Sequence, residues 1–136
     1  MSNIRVGLKI RLEVRKLENC LETMRDIETY EDVLNLISKF YESLLKDEQI
    51  KHFFIDLNLE QHIPHVADFW AFILIDRPGY ANNMMTAHSK LELKASDFER
   101  WLAIFHLTIH ELFEGEKAKL AVERSNLIAW TMKSKM

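Results

Sequence analysis

An all-α fold is what this 136-residue sequence predicts, and three observations predict it. Apolar residues recur every three or four positions through four separate stretches, the spacing that places them on one face of a helix. Residues able to cap a helix stand just ahead of two of those stretches, as Thr29-x-x-Asp32 and Ser96-Asp97-Phe98-Glu99. Strand-like alternation is confined to the first 23 residues, where Ile4, Val6, Leu8, Ile10, Leu12 and Val14 alternate with Arg5, Gly7, Lys9, Arg11 and Glu13.

Residues 1–23 read as an N-terminal appendage and residues 24–136 as the folded domain. A lone strand has no partner for its backbone groups. Two origins fit the appendage equally: sequence upstream of a start at Met24, or an ordinary N-terminal arm. Mass spectrometry of the natural protein separates them. With 48% hydrophobic residues, the remainder suffices for the core of one domain. The net charge of −3 comes with no basic stripe, so a nucleic-acid partner is not expected. Neither a polybasic run nor an apolar stretch near the ~20 residues of a spanning helix is present, so no membrane partner is expected either. Cys20 is the single cysteine, which excludes an intrachain disulfide and a cysteine-rich zinc site. The expected location is the cytoplasm.

The first helix is predicted from Thr29, with Val33, Leu36/Ile37, Phe40/Tyr41 and Leu44/Leu45 on its inner face. Tyr41 is the odd member, because a buried phenol needs a hydrogen-bond partner. Lys46-Asp47-Glu48 ends that stripe, and His52-Phe53-Phe54-Ile55 comes next in a connection expected to fold inward. The second helix is placed to start between Glu60 and Ile63, since Pro64 is tolerated only near a helix start. His62, Val66, Phe69 and Ile73 then share one face, so a histidine heads an apolar stripe. Pro78-Gly79 stops this helix, and a turn or two of helix is expected between Tyr80 and His88. The third helix opens at the Ser96–Glu99 box, runs through Phe98, Trp101/Leu102, Phe105, Ile109 and Leu112/Phe113, and closes at Gly115. The last runs from about Glu116 towards Lys133, with Ala118, Ala121, Leu127/Ile128 and Met132 facing in.

Six histidines invite metal-site readings. His62/His65 and His106/His110 have spacings that can share a metal, but neither pair is His-Glu-x-x-His, and no histidine follows a glutamate by three places. His65, His106 and His110 read as solvated or core-edge residues and His52 as a connection residue. His62 and His88 are placed differently, one heading the stripe and one just beyond the turn. Two imidazoles facing each other across an apolar slot can hold a flat, iron-centred macrocycle. The rival reading is a cofactor-free helical interaction module in which Tyr41, Trp101 and His88 merely pack.

One succession is more specific than its parts. Phe40-Tyr41-Glu42, Phe54, His62-x-Pro64-x-x-x-x-Phe69-Trp70, Tyr80, His88 and Phe98-x-x-Trp101-Leu102 come in an order that resembles the truncated haemoglobins, group III above all. The resemblance runs from about Asp26 to Met132, and the lack of Gly-Gly pairs suits group III. Two places depart from the family: Asn82 and Met84 stand where a glycine and a proline are usual.

The resemblance implies a shortened globin fold, two helices packed over two, with haem b between them. It implies His88 as the axial ligand of the iron, and Tyr41, His62 and Trp101 around a bound gas. Phe53, Phe54, Val66, Phe69, Trp70 and Tyr80 are the implied haem pocket, Phe54 matching the phenylalanine packed on the porphyrin. Arg77, Tyr80 and Lys90 lie near enough in sequence to His88 to be candidates for the haem propionates. The implied ligands are dioxygen, nitric oxide and carbon monoxide. Phenol and indole donors strengthen in a low-dielectric pocket and slow gas release, which suits redox or nitric oxide detoxification chemistry better than transport. Nitric oxide dioxygenase-like and peroxidase-like activities both fit such a site, with a reductase as partner. A haem-based gas sensor is a further version of it, although the chain has no output domain.

Overall fold

The computed structural model describes residues 24–78 and 93–134, and among them it is all-helical. Helix α1 (Tyr30–Lys46) begins where the sequence predicts. Thr29 Oγ1 accepts the Asp32 N–H at 3.1 Å, and the Asp32 carboxylate accepts the Thr29 N–H at 3.0 Å. This reciprocal box satisfies two helix-end donors that would otherwise lack partners. Val33, Leu36, Ile37, Phe40, Tyr41 and Leu44 are the buried face of α1.

Asp47 ends α1 and holds the adjoining turn in shape. Its Oδ1 accepts the N–H groups of Gln49 and Ile50, and its Oδ2 accepts from Arg100 Nε at 2.6 Å. The chain then makes a short 3-10 turn, Lys51–Phe53. Phe54 turns inward and is buried, as expected of this connection, whereas Ile55 points to solvent.

Helix α2 (Leu59–Ile75) starts earlier than the sequence placed it. Pro64 is therefore its sixth residue, beyond the first turn, and the missing N–H falls opposite the carbonyl of Glu60, an exposed residue that water can reach. The helix ends on Asp76 in the left-handed conformation (φ 54°), with the Arg77 N–H bonded back to the Ala71 carbonyl at 3.2 Å. A left-handed residue of this kind is a common helix stop, and a short polar side chain is among the few that tolerate that backbone.

Helix α3 (Ala95–Leu112) corrects the expected capping box. Ser96 lies within the first turn rather than at the cap. Lys94 is the cap residue, and the Asp97 carboxylate accepts its backbone N–H at 2.9 Å. A lysine side chain has no acceptor to return the bond, so only half of a box exists.

Gly115 is also more than a stop. At φ +142° it sits where an added Cβ would fall 2.6 Å from Asp26 Cγ. Asp26 lies that close because its carboxylate caps helix α4 (Glu116–Ser134), accepting the Lys117 and Ala118 N–H groups at 2.8 and 2.9 Å. A negative charge is favoured at that end of a helix. The inner face of α4 is Ala118, Ala121, Ser125, Ala129 and Met132. Leu127, expected inside, is 51% exposed, because it lies about half a turn round from that stripe.

Helix α1 packs on α2, α3 packs on α4, and the pairs meet through α1 against α3 and α2 against α4. This is the expected two-over-two arrangement. Phe40, Phe105, Leu36, Ile37, Leu74 and Ile109 are fully enclosed where the layers meet. Cutting one of these to alanine costs about 2–5 kcal/mol. Among the described residues no helix is long and apolar enough to cross a membrane.

Candidate functional site

The fold gathers Tyr41, His62, Phe54 and Trp101 at one end of the ring cluster. Tyr41 is on the buried face of α1 and His62 in the first turns of α2. The two side chains are 21 positions apart, yet the phenol oxygen lies 2.7 Å from His62 Nε2. Their rings meet edge-on, with centroids 5.2 Å apart at 87°. Tyr41 is only 3% exposed. Burial pushes its phenol well above the usual tyrosine range, so it stays neutral and keeps its proton.

Four aromatic rings extend from this pair. Phe54 meets Tyr41 edge-on at 5.8 Å, and Phe40 meets it from the other side at 5.5 Å. Phe40 contacts Trp101 at 5.7 Å and Phe105 at 4.8 Å. Trp101, half-buried, lies parallel to Phe105 at 5.7 Å. Edge-to-face and offset-parallel contacts of this kind hold rings in fixed orientation. The site therefore has a rigid aromatic floor and one polar pair.

The α2 stripe supplies a further wall. Val66, Phe69 and Ile73 succeed His62 along one face, and all are partly exposed, unlike Ala67, Ala71 and Leu74 on the core side. Trp70 is buried in the core at 4.9 Å from Phe105, with Phe69 beside it at 5.5 Å. Phe53 is half-buried, 6.5 Å from Phe54 and 4.0 Å from the His52 ring. His88, Tyr80 and Lys90 lie outside the described residues.

Arg77 is placed away from this stripe. Its guanidinium carbon sits 3.6 Å above the Tyr30 ring, and Nη1 is 3.3 Å from Asp68 Oδ1. The same carboxylate oxygen accepts the Tyr30 hydroxyl at 2.9 Å. Asp68 is about 120° round α2 from the His62 face. The propionate role expected of Arg77 thus falls on a side chain already engaged between α1 and α2.

Of the other histidines, His65 and His110 are exposed. His106 is half-buried, its Nε2 3.0 Å from Ser125 Oγ across the α3–α4 contact. Ser125 donates to the Val122 carbonyl, so it accepts from His106. Burial, then the nearby His110, lowers the His106 pKa. Among the described residues no three His, Cys, Asp or Glu side chains are grouped to hold a metal ion.

Sequence reading missed the Tyr41–His62 contact and the part played by Phe98, Leu93, Ile50 and Met132, which enclose a cavity beside Trp101. Phe98 and Trp101, three apart on α3, were the one local hint of it.

No family model matches the chain. It is similar to a group 1 truncated haemoglobin of Tetrahymena thermophila, 30% identical over 95 residues, spanning 69% of this chain and 77% of that protein. It is also similar to a group 3 truncated haemoglobin of Campylobacter jejuni, 24% identical over 106 residues, spanning 73% of this chain and 84% of that protein. Among solved structures, a group III truncated haemoglobin from Campylobacter jejuni superposes with a TM-score of 0.73 at 23% identity, covering 81% of this chain and 94% of that one.

Proposed function

The chain belongs to the truncated haemoglobins, and from that premise we propose that it is a haem b protein that binds a diatomic gas and turns it over rather than delivering it. Within the family we place it in group III, on the succession of Tyr41, His62 and Trp101 and the absence of adjacent glycines. The observation that carries the reading is the Tyr41–His62 pair, 2.7 Å apart, at the head of a partly exposed apolar stripe.

These residues fit the group. A macrocycle needs apolar walls over most of its area and polar chemistry only at its centre, and the α2 stripe with its single polar pair has that form. Val66, Phe69 and Phe54 would flank it, with His88 proposed as the axial ligand. When bound, haem supplies an iron that takes up dioxygen, nitric oxide or carbon monoxide and exchanges electrons with it.

The chain's own part is to place donors and exclude water. Tyr41 holds a proton it does not lose at ordinary pH and can donate it to His62 or to a ligand. Indole donates and never accepts, so Trp101 offers a ligand no repelling lone pair. Each such donor contributes about 1–3 kcal/mol when its acceptor carries charge. Two of them slow escape of a polarised ligand, which favours nitric oxide or peroxide chemistry over transport.

The absorption spectrum of the ferrous protein, with and without carbon monoxide, tests this. The expected result is an intense Soret band in wild type that is lost in His88→Ala. A colourless protein that refuses added haem defeats the proposal in favour of a cofactor-free packing module.

A further inference from the structure

Away from the α2 stripe, helix α4 turns large apolar side chains outward together. Trp130 is 65% exposed and Leu127 51%, with Leu120 half-buried in line with them. Counted from Glu116, the residues Leu120, Glu123, Leu127 and Trp130 fall at +4, +7, +11 and +14, so all five share the face opposite the core. Neither Glu116 nor Glu123 has a hydrogen-bond or ion-pair partner for its carboxylate among the described residues. A single exposed leucine, such as Leu107 on α3, is ordinary. A stripe of three apolar groups interleaved with two unpaired carboxylates is a surface built for contact.

Where the chain enters the fold points to what covers it. The Arg25 carbonyl accepts the Glu114 N–H at 3.1 Å, and Asp26 caps the Lys117 and Ala118 N–H groups. Residues 1–23, which lie outside the described residues, therefore join the domain at the foot of α4. Trp130 is about 20 Å along the helix from Lys117, at 1.5 Å per residue. Residues 15–23 span about 30 Å when extended, so whatever precedes them reaches the whole stripe.

The chemistry of the two partners is complementary. Ile4, Val6, Leu8, Ile10, Leu12 and Val14 supply apolar groups, and Arg5, Lys9, Arg11 and Arg15 stand among them with Glu13 as the single acid. Area argues against a separate chain as the occupant. Stable complexes bury about 1,200–2,000 Å² in all, whereas the three apolar side chains of the stripe offer on the order of 300 Å². A tethered segment needs less, because its effective concentration is already of millimolar order.

We propose that residues 4–15 dock along the outer face of α4, with their apolar side chains on Leu120, Leu127 and Trp130 and their cations beside Glu116 and Glu123. The chain thereby carries its own cover for a face otherwise open to self-association. This stands apart from the haem reading, since none of these residues belongs to the proposed gas site.

Paramagnetic relaxation in the full chain is the test. Cys20 is the single cysteine, so Cys20→Ser combined with Gly7→Cys carries one nitroxide in the middle of the segment. Position 7 alternates with the apolar ones, which leaves those side chains free to dock. Relative to a diamagnetic label of the same shape, the amides from Leu120 to Trp130 should lose about half of their intensity or more, as a tethered contact filled in most molecules requires. Nitroxide-labelled protein mixed with 15N protein that carries no nitroxide should give no such loss. Leu127→Ser with Trp130→Ser should abolish the loss, and both positions are exposed, so the fold is not at risk. Glu116→Gln with Glu123→Gln should reduce it, as should high salt. No loss, a loss spread evenly or centred on another helix, a loss seen in the mixture, or one unchanged by either pair of substitutions overturns the proposal.

Discussion

At the start of α1 Arg25, Asp26 and Asp32 each meet several partners, whereas at Tyr41, about three turns along the same helix, a phenol meets an imidazole among rings. Asp32 takes the N–H groups of Glu28 and Thr29 and the Arg25 guanidinium at 2.7 Å. Asp26 caps α4 with both oxygens. Tyr41 and His62, by contrast, bond to each other with Phe40 and Phe54 flanking the phenol. The contrast separates two uses of polarity. Many reciprocal bonds fix a geometry at a helix end, while a phenol–imidazole contact among rings keeps its polar atoms in an apolar setting.

Substitutions can break the comparison at either end, and the largest effect is expected at the fixed end. Gly115→Ala adds a Cβ against Asp26 at a positive φ, which should cost about 3 kcal/mol, read as a lower urea midpoint. Asp26→Ala should cost about 1–2 kcal/mol as a lost cap while leaving the haem spectrum unchanged. A changed spectrum would show that the two ends are not independent.

At the ring end, Tyr41→Phe and Trp101→Phe should each speed oxygen dissociation by about 5- to 100-fold, the equivalent of about 1–3 kcal/mol per donor. Stopped-flow release measures it, and unchanged rates in both variants would remove the donor role. Stability should move little, since the rings stay.

A smaller effect is expected from acid. Its hydrogen bond to Arg25, with help from backbone N–H groups, holds Asp32 at about 2, below its ordinary 3.8. The unfolded chain therefore binds the proton more readily, so stability is complete above about pH 4 and is lost as pH falls towards 2. Asp32→Asn should flatten that limb of a melting-temperature profile. The smallest expected effect belongs to His106, whose pKa burial holds below 6.5. Its contribution is complete above 6.5 and declines as pH drops beneath that value, so His106→Gln should shrink the loss of melting temperature between about pH 7 and 5.

What could be read in advance was whatever the chain encodes over a few residues. The Thr29–Asp32 box, the α1 stripe and the α2 stop are local, and their residues carry the pattern. The Ser96 box went astray by two residues because Glu99 stands three places after Ser96 just as Asp97 does after Lys94, and only the backbone shows which carboxylate takes a cap N–H. Leu127 was placed inside because a leucine outweighs serine and alanine in any reading by hydrophobicity, although Ser125 and Ala129 hold the inner positions. Arg77 was judged by its nearness to His88, and its partners proved to be Tyr30, 47 positions back, and Asp68. Tyr41 announced a need for a partner without naming it. His62 supplied the answer only in three dimensions.

The carboxylate of Asp26 has a consequence for the order in which the molecule assembles. The group that finishes the last helix is synthesised 91 positions ahead of the first N–H it binds. Until the two ends of the domain meet, that helix frays at its beginning. Contacts of such sequence separation carry the loop-closure entropy that slows folding. The final helix should therefore gain its protection against hydrogen exchange only when the whole chain has closed upon itself.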